Sequence, residues 1–228
     1  MVKPNLSILI LTHKRPKLFE RCLNSVMSQY IDNVEIIVNN DSCDIRELFK
    51  PNVKYYYNTF DNISKIYEFL LLKSTGKYIY YLEDDDYLRD DFLKISLDAD
   101  IIAGNYFPTY KPNNILDLIN IFTDSVLYDK KKFTKELNLE HLQLGQFIFK
   151  REVVEDFIFY NDNNIHNDIR LVFHATSKSK LFKTTSKIFY YQTTDGKDNI
   201  SFPNTKKDIN VTQSMDFLKQ YEAQDTTS

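Results

Sequence analysis

Four consecutive acids, Glu83-Asp84-Asp85-Asp86, follow directly on the apolar run Tyr78–Leu82. Like charges repel, and ordinary surface solvation gives no reason to gather them at the end of a segment that must be buried. A hard cation does give one. Mg²⁺ or Mn²⁺ takes one or two carboxylates and shares its remaining positions with substrate phosphate oxygens. The alternative is an acidic loop that caps a helix starting near Asp90 through the helix dipole. Two further polar clusters end apolar runs: Thr12-His13-Lys14-Arg15 after Leu6–Leu11, and Asn39-Asn40-Asp41 after Val34–Val38. Asp41 offers a carboxylate to a nucleobase imide or a ribose hydroxyl, although Asn-Asp-Ser is also strong turn chemistry. A lone His13 near a strand end is more often a satisfied polar residue than a catalyst. The four histidines form no H-E-x-x-H pattern, so zinc is not expected.

Composition narrows the chemistry further. The 228 residues contain only four glycines, Gly76, Gly104, Gly145 and Gly196, and no two lie close together. Neither a dinucleotide fingerprint nor a P-loop can be written, so phosphates must be neutralised by something other than glycine amides. A net charge of −3 excludes a chain dominated by nucleic-acid-binding charge. The cluster Arg170, Lys178, Lys180, Lys183 and Lys187 could still meet phosphate, or be a solvated face. Two cysteines, Cys22 and Cys43, do not make a disulfide scaffold and suggest a reducing, cytoplasmic setting. Apolar runs are too short for a signal segment or a membrane span.

The elements that must position the acids follow from hydrophobic period. Leu6–Leu11, Val34–Val38, Val53–Tyr57 and Tyr78–Leu82 have the continuous or short apolar character of buried strands. Between them, Pro16–Ser28 and Asn62–Lys73 carry helical spacing, the second ended by Gly76. Four strands with helical crossovers predict an α/β fold: a doubly wound, mostly parallel central sheet with helices on both faces. In such sheets ligands bind beyond the carboxyl ends of the strands, where all three polar clusters fall. Past residue 100 the pattern loosens. Strands are expected at Asp100–Ala103 and Gln146–Phe149, with irregular helical material across Asn114–Leu139. Short helices are expected at Glu152–Phe157 and Asp168–Ser177, extended chain at Leu181–Tyr191, and a closing helix at Lys207–Tyr221.

At this level of detail the sequence resembles the family 2 glycosyltransferases, which have the nucleotide-diphospho-sugar (GT-A) fold. Leu6–Pro16 (LSILILTHKRP) is similar to their opening strand and "PTYNRP" loop, and Arg21–Gln29 (RCLNSVMSQ) to "RCLESVLNQ". Glu35–Ser42 (EIIVNNDS) resembles "EIIVVDDGS", and Thr75–Leu88 (TGKYIYYLEDDDYL) resembles "TGEYIAFLDDDDYL". Later matches keep the family's order: Gly145–Val154 with "GxxxFRREVL", Asn167–Leu171 with "EDxxL", and Lys187–Ser201 with "PLYYYRxHxGSIS". Together they run over about residues 6–203.

The resemblance implies one GT-A domain over 1–228: a nucleotide-sugar half (1–104), an acceptor half (105–205) and a C-terminal helix and tail (206–228). It implies a nucleotide-diphospho-sugar donor, a UDP-sugar by preference, held by Thr12, His13, Arg15, Asn40, Asp41, Lys65 and Asp84. It implies a Mn²⁺ or Mg²⁺ site at Glu83, Asp85 and Thr194, with Asp85 the direct ligand. Asp168 aligns with the base of inverting members, although an acid in a helix first turn also serves as a cap. Several residues depart from the pattern. Glu83 replaces the first Asp of D-x-D, Asn40 and Ser42 flank Asp41 where Asp and Gly are usual, and Asn167 replaces a Glu. Lys65 stands where the family carries an Arg, and Thr194 where many members carry a His. The implied acceptor is a glycan. Alternatives are a modified base in viral DNA, or a non-catalytic sugar- or partner-binding module with the same fold. A sugar-phosphate nucleotidyltransferase would need a glycine-rich loop after the first strand, and Thr12–Pro16 contains no glycine.

Overall fold

The computed structural model describes residues 3–29, 32–41, 45–48, 50–109, 122–137, 142–159 and 167–193. Its first half alternates β1 (Leu6–Thr12), α1 (Pro16–Met27), β2 (Val34–Asn40), β3 (Val53–Tyr57), α2 (Ile63–Lys73) and β4 (Tyr78–Glu83). Then come β5 (Tyr87–Leu88), β6 (Ile101–Pro108), β7 (Ser125–Leu127), α3 (Lys130–Glu136), β8 (Phe147–Lys150), α4 (Asn167–Lys178) and β9 (Phe182–Gln192). The strands form one sheet in the order β3-β2-β1-β4-β8-β6-β9-β5, with β7 paired to β9. The β3-β2-β1-β4 block is parallel and β8 runs antiparallel between β4 and β6.

Every residue of β1 is buried, which is why its sequence is continuously apolar rather than alternating. Ile8 and Ile10 pack on one face with Phe19, Cys22, Leu23 and Val26 of α1. Leu9 and Leu11 pack on the other with Ile66, Leu70 and Leu71 of α2 and with Ile169 and Val172 of α4. Pro16 opens α1, where its missing N–H is not needed. Asn62 caps α2 by accepting the Ser64 N–H at 2.7 Å.

Buried Glu35 on β2 ties the strands together at the end opposite the acid run. Its Oε1 accepts from Ser7 Oγ at 2.6 Å, from the Gly76 N–H at 2.9 Å and from Thr75, while Lys54 Nζ reaches Oε2 at 2.7 Å. Gly76 lies so close to β1 that a Cβ there would sit 2.4 Å from Ser7 Oγ and 2.7 Å from the Ser7 nitrogen. Its role therefore differs from the expected helix stop: α2 ends at Lys73, and Gly76 is required by backbone approach.

Other expectations need adjustment. Glu152–Phe157 is no α-helix but a 3₁₀ turn at Arg151–Val153 followed by a turn. No α-helix starts near Asp90. The chain there makes a 3₁₀ turn at Phe92–Lys94, so the acid run does not cap a helix. The expected strand at Asp100–Ala103 extends to Pro108, and β7 with α3 replaces part of the irregular stretch expected over Asn114–Leu139. The closing helix expected at Lys207–Tyr221 lies outside the described residues. Among the described residues no helix is long and apolar enough to cross a membrane.

Removing the Glu35 carboxylate strands several buried donors, so Glu35→Ala is expected to lose about 3 kcal/mol in urea denaturation at pH 7. Burial alone would raise the Glu35 pKa. The Lys54 contact, Ser7 and the Thr75 and Gly76 N–H groups outweigh it and hold it at about 2, against 4.5 ordinarily. A depressed carboxyl contributes stability above its unfolded pKa and loses it as pH falls towards the folded one. The wild-type and Glu35→Ala proteins are thus expected to converge in stability between about pH 4.5 and 2.

Candidate active site

β1, β2 and β4 lie side by side, and their carboxyl ends bring the three polar clusters into one place. After β1 the chain turns sharply at Lys14, whose φ of 54° puts a non-glycine residue in the left-handed region. That turn lets the His13 N–H donate to Asp84 Oδ2 at 3.2 Å and aims Arg15 at the acids. Arg15 Nη2 lies 2.6 Å from Asp84 Oδ1, and Nη1 donates to Asp85 Oδ2 at 2.5 Å. The His13 side chain turns to β2, its Nδ1 2.7 Å from Asp41 Oδ1, a contact that needs the proton on Nδ1.

Asp84, Asp85 and Asp86 are buried, and Glu83 keeps solvent-accessible surface. Burial pushes the Asp84 carboxyl up to about 6, with Arg15 pulling the other way. Burial, then the charges of Glu83 and Asp85, drives Asp86 well above its usual range although the Thr193 N–H donates to its Oδ1 at 3.0 Å. Despite its exposure, the protein packed around Glu83 and the charges of Asp85 and Asp84 raise its pKa too. Three carboxylates, of Glu83, Asp85 and Asp86, offer oxygens that all lie within 4.8 Å of one another. Asp85 Oδ1 is buried and accepts no hydrogen bond from the described residues, while Arg15 occupies its other oxygen. A buried acceptor without a donor, inside a group of hard oxygen ligands, fits a Mg²⁺ or Mn²⁺ ion.

Of the residues expected at a metal, Glu83 and Asp85 are together and Asp86 joins them. Thr194 lies outside the described residues. Of the expected donor residues, Thr12, His13, Arg15, Asn40, Asp41 and Asp84 converge at these strand ends, with Thr12 and Asn40 buried at register partners of β1 and β2. Lys65 is not drawn in: its Nζ pairs with Asp61 at 2.9 Å on the exposed side of α2. The opposite side of that helix supplies Tyr67 instead, whose hydroxyl donates to Glu83 Oε1 at 3.4 Å. Burial keeps the Tyr67 phenol well above its usual pKa, so it remains a donor.

Asp168 sits in the first turn of α4 and accepts the Ile169 N–H at 2.8 Å. Burial raises its pKa to about 6 against that hydrogen bond. Its position is fixed by Asn167, whose Nδ2 donates to Ser64 Oγ of α2 at 2.6 Å. The Asp168 charge also contributes to the raised pKa of Glu83, so the two acids share one field.

The resemblance over Arg21–Gln29 assigns Arg21 no role of its own. From α1 its Nη2 donates to the Asp85 carbonyl at 2.6 Å and to Thr193 Oγ1 at 2.5 Å, tying the acid run to the end of β9. The signal was present in Arg21–Gln29, but only the fold shows what the guanidinium reaches. In the basic cluster, Lys178 is paired with Asp156 at 2.5 Å and Lys183 with Asp98 at 3.0 Å, so two of its charges are neutralised locally.

The family model described as Glycosyl transferase family 2 matches residues 7–158. Among curated proteins, glycosyltransferase GlyA of Streptococcus pneumoniae serotype 4 is 24% identical over 121 residues, 47% of this chain and 17% of GlyA. Among solved structures, S. aureus TarS 1-349 superposes with a TM-score of 0.66 at 18% identity, covering 84% of this chain and 60% of that one. The same TarS fragment in complex with UDP-GlcNAc gives 0.67 at 16% identity over 89% and 61%, and with UDP 0.65 at 16% over 94% and 71%. The chain thus spans about a sixth of GlyA and about three fifths of the first TarS structure. The fold is the one that the sequence resemblance implied. With the family match covering well over half its residues, the chain belongs to glycosyltransferase family 2 and has the GT-A fold.

Proposed function

We propose that this protein transfers a sugar from a nucleotide-diphospho-sugar, a UDP-sugar, to a hydroxyl of a glycan acceptor with inversion at the anomeric carbon. The observation that carries the proposal is the group Glu83, Asp85 and Asp86, with one buried Asp85 oxygen left without a donor among the described residues. The TarS structures that hold UDP-GlcNAc and UDP support the choice of donor. Glu83, Asp85 and Asp86 would hold Mn²⁺ or Mg²⁺, with Thr194 a further candidate. Such a cation supplies positive charge for the departing diphosphate. Arg15 adds fixed positive charge beside Asp84 and Asp85, a role that glycine amides fill elsewhere. Asp41, oriented by His13, and Asn40 with Thr12 would meet the base and ribose.

Asp168 is the proposed general base. It takes the acceptor hydroxyl proton as that oxygen bonds to the anomeric carbon, the bond to the diphosphate breaks, and nucleoside diphosphate leaves. One displacement of this kind inverts the centre and needs no enzyme nucleophile. A carboxyl raised to about 6 by burial remains ionised at neutral pH and is a stronger proton acceptor than a solvated Asp. In the same reading residues 1–104 bind donor and 105–205 face the acceptor.

Donor turnover in nucleotide-sugar assays checks these roles. Asp168→Asn is expected to keep UDP binding while transfer falls by about 10²–10⁴-fold; unchanged transfer would remove Asp168 as base. Because its base form exists above its pKa, wild-type kcat is expected to fall as pH drops below about 6. Asp85→Ala is expected to abolish the extra thermal stabilisation that Mn²⁺ adds to UDP, since ligand binding stabilises the folded state by mass action. Equal shifts with and without Mn²⁺ in the wild type would reject the cation site.

A further inference from the structure

Tyr87 of β5, Tyr191 of β9 and Phe107 of β6 stand at one register across three neighbouring strands. Strand alternation places all three on one face of the sheet. The next row, Leu88, Tyr190 and Tyr106, is on the other face and is buried, with 2%, 2% and 5% exposure. None of the first row belongs to the buried core, and Phe107 in it is 40% exposed. The Tyr87 and Tyr191 rings stack with centroids 4.9 Å apart and 20° between planes, and Phe107 meets Tyr191 at 6.1 Å and 68°. The Arg21 guanidinium lies 4.8 Å from the Tyr87 ring centroid. Among the described residues, neither the Tyr87 nor the Tyr191 hydroxyl makes a hydrogen bond.

The row begins at the rim of the acid site. Tyr87 follows Asp86 directly, and Tyr191 lies two residues before Thr193, whose N–H holds Asp86. In the sheet order, β1, β4 and β8 separate it from Asp41 at the end of β2. A ligand that met this row while UDP occupied the β1 and β2 ends would be the second substrate.

We propose that Tyr87, Tyr191 and Phe107 form a subsite for a pyranose ring of the acceptor. This rests on the glycosyltransferase reading above and deepens it. A pyranose presents an apolar face of C–H groups and a rim of hydroxyls. The exposed Phe107 ring offers apolar surface to the first, and the phenol hydroxyls at the edges of the stacked Tyr87 and Tyr191 rings can both donate to and accept from the second. Rigid aromatic side chains supply that contact at low entropic cost. A DNA backbone fits poorly here, because the buried acid Asp86 directly precedes Tyr87 and the Arg21 guanidinium beside Tyr87 is already engaged by the Asp85 carbonyl and Thr193.

The chain contains no tryptophan, so Phe107→Trp introduces a single fluorescent reporter at the row. Titration with methyl β-D-glucopyranoside is expected to change its emission saturably, while sorbitol and uridine leave it unchanged. Tyr191→Ala in that background is expected to weaken the response about tenfold. Saturation-transfer NMR of the same glycoside on the wild type, lost in Phe107→Ala, provides the readout without a tryptophan. Silence in both experiments overturns the subsite, as does a response to uridine, which would put a base there. An emission that is already that of a buried indole and insensitive to the glycoside also overturns it, because the chain itself then covers the row. Thermal stabilisation of the same variants by UDP with Mn²⁺ separates the two failures: if it is retained, the donor reading stands and only the subsite falls.

Discussion

Everything at the carboxyl end of this sheet depends on concentrating negative charge where water is scarce. Asp84, Asp85 and Asp86 are buried beside a fourth acid, Glu83, an arrangement that raises the free energy of the folded chain unless positive charge and N–H dipoles offset it. The protein supplies part of that offset. Arg15 pairs with Asp84 and Asp85, the His13 N–H meets Asp84, and the Thr193 N–H meets Asp86. Among the described residues the offset is incomplete: one Asp85 oxygen has no donor, and burial and mutual repulsion raise the pKa values of Glu83, Asp84 and Asp86. An incomplete offset is what a cation site requires, because a fully neutralised cluster would have nothing left to bind.

The opposite end of the sheet shows the contrasting solution. Glu35 is also a buried acid, yet its oxygens are met by Ser7, Lys54, Thr75 and Gly76, and its pKa falls rather than rises. One carboxylate satisfied by hydrogen bonds locks β1, β2 and the entry to β4 together. Four acids left partly unsatisfied sit where those same strands end. The rigidity of the first feature positions the second, and Gly76 permits the close strand approach on which the lock depends.

Much of this was legible in the sequence because the signals are local. β1 to β4 are short apolar runs bounded by polar clusters, so their ends could be located to within two residues, and the strand ends carried the site. What was not legible depends on partners distant in the chain. Tyr67 reaches Glu83 only because α2 packs over β1 and β2 and sets the Tyr67 ring edge-on to Tyr81 of β4, and Asp86 joins Glu83 and Asp85 only through the turn that follows β4. Lys65, on the side of α2 opposite Tyr67, turns out to pair with Asp61 instead. The extension of β6 to Pro108 was hidden because Gly104 and Asn105 break the apolar run, although Asn105 is buried and bonded to Phe122 and Ser186. The row Tyr87, Phe107 and Tyr191 is dispersed over a hundred residues and exists only as a consequence of strand order.

The central claim is that the acid run and a nucleoside diphosphate share one divalent cation. Electron–nuclear double resonance on the protein with Mn²⁺ and UDP measures this directly. The account predicts a phosphorus hyperfine coupling to protein-bound Mn²⁺ that disappears when UDP is omitted. Bound manganese and bound UDP with no such coupling would contradict it.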